Sequence, residues 1–580
     1  MPRSNDDVAA ALEEMATLLA IAGGDPFRIR AYDKAARALA EHPQDLATLD
    51  ERGLRAVPGV GAHIAAKVGE LLRSGRMAEL DDLRAQVPAG LRALLDVPGL
   101  GPKRARQVYD ELGITSSAEL LQALHEHRLR GLRGWGPTSE DNLRRAIAQT
   151  QQAGRRLALD VALETAEELV DGLGRLPGTT RAAYAGSLRR MRETIGDIDL
   201  LAASDDPAAV MTGFARLPLV AEVRAGGTTK ALAFTTKGVH VDLRVVPPAS
   251  WGSALQYFTG SKAHNVHLRR IAQRQGLKLS EYGLERLADG TTVAGASEEE
   301  VYESLGLAWV PPTLREDRGE VEAARARALP RLVEVSDIRG DLHTHTTLTD
   351  GLATLEEMVE AARRRGYRYL AVTDHAPMLR MMRMTTEKML AQRAQVRALQ
   401  VRGGPALLHG SELNIQPDGS LDWDDETLAG FDVLVACVHS HFTMGRAEMT
   451  ARLLRAIEHP AVNVIGHPTS RSIGRRPPID FDADAVFAAA ARTGTAMEVN
   501  SFPDRLDLND ELARLAQAHG VVLSIATDAH ATRHLANIRY GVATAQRAWV
   551  TPDRVINTWP LPRLRAFLAK GGRARPAVAG

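Results

Sequence analysis

The sequence predicts a multidomain chain: an α-helical amino-terminal region, an α+β middle and a distorted (βα)7 barrel at the carboxyl end. Three patterns carry this expectation. A Gly-x-Gly turn recurs between helical segments at Gly59–Gly61, Gly99–Gly101 and Gly134–Gly136. In the middle, the apolar run Ala182–Ala185 enters a Gly-Ser turn, and a second strand pattern, Gly-Asp-Ile-Asp-Leu-Leu, follows it. From Ile338 onward, about seven apolar runs alternate with helical segments, and most end in a histidine or a carboxylate.

A chain of 580 residues is too long for one hydrophobic core and divides into about three or four domains. The pattern changes give residues 1–85 and 86–154 as helical, 155–247 and 248–317 as the α+β middle, 318–337 as a charged linker and 338–580 as the barrel. Formal net charge is zero, so any attraction for a polyanion must be local. The single cysteine, Cys437, excludes an intramolecular disulfide and fits a reducing cytoplasm. The amino terminus lacks the basic-then-apolar order of a secretory signal, and no apolar run reaches about 18 residues, so no membrane association is expected. Nothing in the sequence marks an oligomer interface, and a monomer is expected.

Residues 8–22 show helical periodicity up to Gly23–Gly24, and Phe27 to Ala40 forms a second helix in which Arg28 and Lys34 flank Tyr32. By itself such a charge run is a solvated face. The Gly-x-Gly turns that follow each open a helix, the third more loosely than the first two, and resemble helix-hairpin-helix repeats. Such a turn offers backbone N–H groups to a DNA phosphate at a helix start without reading bases. As isolated features, the turns would be tight helix–helix connections.

Asp197 and Asp199 lie two apart in a strand pattern and so project to one face. A third acid, Asp242, sits in the alternating run Val239–Val246. Three converging carboxylates suit two hard cations about 3.5–4 Å apart, which clamp both oxygens of a phosphoryl transfer. Mg²⁺ prefers such oxygen ligands, with Mn²⁺ as its substitute. The Gly186–Ser187 turn offers N–H groups to a triphosphate, and Arg190 can fork onto a phosphate. These residues resemble the palm of the nucleotidyltransferase superfamily, specifically the family X DNA polymerases.

The resemblance extends to Leu255-Gln-Tyr-Phe-Thr-Gly-Ser261, similar to the Tyr-Phe-Thr-Gly-Ser motif of that family. It implies that Tyr257, Phe258 and Gly260 line the nucleotide sugar, that Asn265 touches the minor-groove edge of the base, and that Arg269 faces the template. Lys262 stands where the vertebrate relatives carry an acid. The amino-terminal segment is similar to the small lyase domain of the polymerase-beta-like enzymes. That likeness implies a 5′-phosphate pocket at Arg28, Tyr32 and Lys34, with Lys67 either as a Schiff-base lysine or as a plain phosphate contact. His63 and Phe27 depart from it, standing where that relative has a lysine and a histidine.

In the last region the strand-end residues are His343, His345, Asp350, His375, Glu412, His439, His467, Asp528 and His530. Barrels place active-site residues at the carboxyl ends of their strands, and mixed His/carboxylate sets suit Zn²⁺, Mn²⁺ or Fe²⁺. The segment resembles the polymerase and histidinol phosphatase (PHP) family. The resemblance implies a centre of two or three metals: one held by His343, His345, Glu412 and Asp528, a second by Glu412, His439 and His467, a third by Asp350, His375 and His530. Cys437 is expected to be strand packing.

The expected function is a family X DNA polymerase filling short gaps in gapped or nicked DNA from deoxynucleoside triphosphates during repair. The PHP domain adds a metal-dependent 3′–5′ exonuclease, and whether the same domain also incises abasic sites is left open by the sequence. A different class is a small-molecule nucleotidyltransferase fused to a phosphoesterase of histidinol-phosphatase type, which has no use for the hairpin turns. A third is a DNA-binding scaffold with decayed sites, disfavoured because every ligand position is filled.

Overall fold

The computed structural model describes the chain outside residues 1–4, 23, 41, 43–45, 58, 89–90, 92–93, 95–99, 101, 137–139, 141–142, 144–155, 380–381, 402–403 and 571–580. Residue contacts divide it into two compact units. One is Met1–Arg155 with Ile271–Lys278 and Arg286–Gly290; the other is Arg156–Arg270 with Leu279–Glu285 and Thr291–Gly580.

The first unit is helical. Helices α1 (Asn5–Ile21) and α2 (Pro26–Ala40) pack closely, and their apolar faces join those of α3 (Glu51–Ala56), α4 (Ala62–Ser74) and α5 (Ala78–Gln86) in one core. The chain passes from α3 to α4 through a tight turn in which the Val60 N–H donates to the Val57 carbonyl at 3.0 Å. Gly59 takes φ 92°, a left-handed value that favours glycine. Gly61 is extended at the N-cap of α4 and leaves the first N–H groups of that helix without a side-chain cap. Gly99 and Gly101, the second expected turn, lie outside the described residues.

In the second unit, a five-stranded sheet runs in the order β1 (Arg181–Tyr184), β2 (Ile198–Ala203), β5 (His240–Val246), β4 (Lys230–Thr235), β3 (Val220–Gly226). The β2–β5 pair is parallel and the others are antiparallel. Its register sets Asp199 directly beside Asp242, two acids 43 positions apart in sequence that pairing makes neighbours. Leu159–Gly174 covers the sheet with an amphipathic face. Trp251–Thr259 then leads through Gly260 into the helix Lys262–Arg274.

The stretch expected as a charged linker is packed. Within 318–337, Glu320 is buried against His264 at 2.6 Å, and just before it Arg315 is fully buried on Glu298 and the Val310 carbonyl. Charge there marks internal ion pairs, which composition cannot tell from solvated charge.

Seven parallel strands follow in sequence order: β6 (Gly340–Asp341), β7 (Tyr369–Val372), β8 (Ala406–Asn414), β9 (Val433–Cys437), β10 (Val464–Ile465), β11 (Ala496–Asn500) and β12 (Leu523–Ala526). A parallel bridge between Thr344 and Ala529, just past the first and last strands, brings the two edges together, so the barrel is nearly closed. Strands buried on both faces read as unbroken apolar runs, as Val433–Cys437 does. This barrel docks on the five-stranded sheet: Leu506 and Tyr540 enter the core under that sheet, and Arg471 reaches Glu193 at 2.5 Å. Among the described residues no helix is long and apolar enough to cross a membrane.

Candidate functional site

At the edge of β2, Asp197, Asp242 and His240 present ligand atoms within 4.8 Å of one another. Asp199 lies under the Gly-Ser turn, and a Cβ at Gly186 would overlap its Oδ2 at 1.8 Å. Gly186 has φ 59°, so both the backbone and the close approach call for glycine there. Burial, then Asp197 and Asp242, push the Asp199 carboxyl up to about 7. The Asp242 Oδ1 is buried without a hydrogen bond. Acids crowded and desolvated in this way are what a divalent cation relieves. His240 carries no signal in the sequence beyond its place at the strand start.

Other expected nucleotide-site residues are engaged within the chain. Arg190 donates from Nε to Glu316 at 3.0 Å and from Nη1 to the Thr259 carbonyl at 2.5 Å. This ties the Gly-Ser turn to the Thr259–Gly260 turn. Asn265 is buried, accepting from Gln256 and donating to the Tyr257 carbonyl, both at 2.7 Å. Tyr257 and Phe258 meet edge to face with ring centres 5.2 Å apart. The buried Arg269 Nε has no hydrogen-bond partner, and Ser187 lies half-buried in the turn.

The second cluster fills the carboxyl mouth of the barrel. All nine strand-end residues meet there. Glu412 stands at the middle: its Oε1 is 3.0 Å from His439 and 2.9 Å from His467, and its Oε2 is 3.5 Å from His343 and His345. Asp350 lies 3.3 Å from His375 and 3.2 Å from His530. Asp528 lies 3.2 Å from His345. The donor atoms fall into three groups, each spanning under 4.8 Å: His343/His345/Asp528, Glu412/Cys437/His439/His467 and His345/Asp350/His375/His530. His345 thus faces two groups.

The donor set fits metal ions. His343 Nε2, both nitrogens of His345, His375 Nδ1, His467 Nδ1 and Glu412 Oε2 are buried with no hydrogen bond. His375 Nδ1 and Glu412 Oε2 approach to 2.8 Å yet do not align for one. Outer contacts fix the rings: Glu498 holds His343 Nδ1 at 2.7 Å, and Asn414 holds His439 Nδ1 at 2.8 Å. Burial would raise the Glu412 carboxyl, but His375, His439 and His343 outweigh it and hold it well below the usual range. Burial lowers the His375 imidazole, yet Glu412 and Asp350 carry it up to about 10. Asp528 (φ 53°) and His467 (φ 27°) adopt left-handed backbone, the kind of strain stored at functional sites.

Cys437 is wholly buried in strand packing, but its Sγ also falls in one donor group, and burial with the Glu412 charge keeps the thiol protonated. Glu498 and Asn414 were not among the residues expected from the sequence. Glu498 sits mid-strand in Ala496–Asn500, where alternation alone assigns it no role.

In the first unit, Glu79 sits among the expected phosphate-pocket residues. It pairs with Arg28 and lies 3.5 Å from Lys67 and 3.9 Å from His63. Tyr32 is buried, its hydroxyl 3.4 Å from His63, and the Lys34 stem runs beside Gly59. A Cβ at Gly61, Gly134 or Gly136 would meet nothing within 4 Å, so no internal packing demands glycine at these places.

A two-unit chain with a carboxylate-edged nucleotidyltransferase sheet and a donor-filled barrel mouth defines a class, a phosphoryl-transfer enzyme with two metal-competent centres. Family models match a helix-hairpin-helix domain at residues 3–77, a SAM-like helix-hairpin-helix tandem at 91–149, a DNA polymerase beta thumb at 254–316 and a PHP domain at 341–501. The chain is 36% identical over 569 residues to the DNA polymerase/3′-5′ exonuclease PolX of Bacillus subtilis (strain 168), covering 97% of this chain and 99% of that protein. DNA polymerase lambda of Rattus norvegicus is 27% identical over 50% of this chain and 53% of its own length. A probable phosphatase of Syntrophotalea carbinolica is 29% identical over 37% of this chain and 90% of its own length. The chain belongs to the family X DNA polymerases that carry a PHP domain.

Proposed function

We propose that this protein extends 3′ ends across short gaps in DNA at the palm and removes 3′-terminal nucleotides at the barrel mouth, acting as a monomer in cytoplasmic DNA repair. The observation that carries the reading is the β2–β5 register, which sets Asp199 beside Asp242 under the Gly186 turn. Asp197, Asp199 and Asp242 would hold Mg²⁺ or Mn²⁺, which supplies charge neutralisation at the transferred phosphate. In this reading Asp242 takes the proton of the primer 3′-hydroxyl, and the Gly186–Ser187 N–H groups receive the triphosphate. Tyr257, Phe258, Gly260, Asn265 and Arg269 shape the nucleotide pocket, Asn265 after its internal bonds to Gln256 and Tyr257 yield to substrate.

At the barrel mouth, His343, His345, Asp350, His375, Glu412, His439, His467, Asp528 and His530 would hold two or three Zn²⁺, Mn²⁺ or Fe²⁺ ions. Those ions activate water and stabilise the leaving oxygen when bound. Glu498 and Asn414 keep two of the imidazoles turned toward them. Gly61, Gly134 and Gly136 offer open backbone to DNA phosphates, and the same role follows for Gly59, Gly99 and Gly101 by their repeat.

Primer extension on one-nucleotide-gapped DNA, with and without Mn²⁺, tests the whole reading. Extension with labelled 3′ ends also released is expected. Failure to extend, together with hydrolysis of small phosphoesters only, would favour the small-molecule class.

A further inference from the structure

Where the barrel docks on the palm, one barrel side chain reaches the nucleotide site. Arg547 closes the helix Ile538–Arg547 and is buried, with its side chain 4% exposed. Its Nη1 donates to the Arg190 carbonyl and to Glu316, both at 3.0 Å, and its Nη2 donates to Asp510 at 2.8 Å. Glu316 in turn accepts from Arg190 Nε, and Arg190 Nη1 holds the Thr259 carbonyl. Asp510 and Arg547 belong to the barrel, Glu316 to the end of the thumb, and Arg190 to the Gly-Ser turn of the palm. The chain of bonds therefore crosses three domains and ends on the two turns that face the incoming nucleotide.

We propose that Arg547 is a positioning residue for nucleotide addition: it fixes Arg190 and Glu316, and through them the Gly186–Ser187 and Thr259–Gly260 turns, so that the PHP domain is a structural part of the polymerase pocket. This inference rests on the polymerase reading above. The physics is that of a shared buried carboxylate. Three guanidiniums approach Glu316, those of Arg190 and Arg547 at 3.0 Å and that of Arg192 at 3.8 Å, and the two nearer ones remove most of its desolvation cost. Without Arg547, Glu316 keeps one hydrogen-bonded partner, Arg190, with Arg192 further off at 3.8 Å, and the Arg190 carbonyl loses a donor, so the Gly-Ser turn is free to shift. Lysine keeps the charge but cannot span three acceptors in the fixed fork of arginine.

The test uses the full-length protein and measures single-nucleotide gap filling and 3′-end removal side by side. Arg547→Met is expected to raise the KM for the deoxynucleoside triphosphate by about 10- to 100-fold, the scale of a small misplacement, with a smaller fall in kcat. Arg547→Lys should recover part of that loss, and 3′-end removal should stay at the wild-type rate in both. In a Glu316→Gln background, Arg547→Met should add little, because the shared acceptor is already altered. Should Arg547→Met fail to fold, Asp510→Asn removes the outermost link and is expected to move KM in the same direction by a smaller factor. Wild-type KM in folded Arg547→Met and Asp510→Asn proteins would overturn the proposal. An equal loss of both activities in folded variants would overturn it too, by showing a general structural role. A wild-type protein that fills no gap would instead remove the polymerase reading on which the inference stands.

Discussion

The palm and barrel centres are both built from ligands at strand ends, yet they are held differently. In the barrel, six of the nine residues are buried while Asp350, His439 and His530 are partly exposed, and outer partners such as Glu498 fix the direction of the rings. In the palm, Asp197, His240 and Asp242 are all only half-buried, and three acids share the space. The barrel arrangement suits ions held permanently in a mixed nitrogen/oxygen shell, whereas the palm suits a cation completed by substrate phosphates. The difference teaches that donors in the two centres are preorganised to different degrees, by outer contacts in the barrel and by strand register in the palm.

The sharpest break of this comparison is to empty one centre at a time. Asp197→Ala with Asp199→Ala should reduce gap filling by about 10²–10³-fold or more and leave 3′-end removal unchanged. Asp528→Ala should do the reverse, and should also lower the transition-metal content of the purified protein, measured by elemental analysis. Loss of both activities in either variant would mean that the centres are not independent.

A smaller effect is expected at the outer shell of the barrel. Glu498→Gln keeps the shape but weakens the hold on His343, and about a 10- to 100-fold loss in metal affinity is expected. Competition with a chelator measures it directly. Affinity equal to wild type would place the ring orientation under packing control instead.

The palm has its own signature in pH. The Asp199 carboxyl is raised from 3.8 to about 7 in the metal-free protein. A proton must therefore leave before a cation binds, and Mg²⁺ affinity should fall as pH drops below 7, by up to about tenfold per unit. The linkage to stability has the opposite sense. A raised acid contributes stability that is fully present below 3.8 and is lost as pH rises through about 7. Asp199→Asn should therefore raise the Tm of metal-free protein at pH 8 and hardly change it at pH 4. Mg²⁺ titrations that are flat between pH 6 and 8 would contradict the crowded-acid account.

The smallest expected effect on the fold belongs to the first unit. Gly61→Val meets open space at an ordinary extended φ of −77°, so its stability should stay within about 0.5 kcal/mol. If DNA phosphates approach that backbone, affinity for gapped DNA should still fall, at any sequence and more visibly at low salt. Unchanged affinity would make the turn a helix connector alone.

Much of this protein is legible in its sequence, because its chemistry lies at local spacings. Asp-x-Asp, His-x-His and the Gly-Ser turn are short patterns, and the strand-end positions of the barrel ligands follow from apolar runs that stop at a polar residue. The repeat of Gly-x-Gly before a helix is equally local. What only the tertiary structure decided lies across long separations. Glu498 meets His343 from 155 positions away, and Arg547 meets the Arg190 carbonyl from 357. The packed state of Arg315 and Glu320, the inclusion of His240 beside the palm acids and the internal bonds of Asn265 belong with them. Periodicity fixes which face of a strand or helix a residue occupies. Which distant element comes to meet that face is set by how whole sheets and helices pack, and no local pattern encodes it.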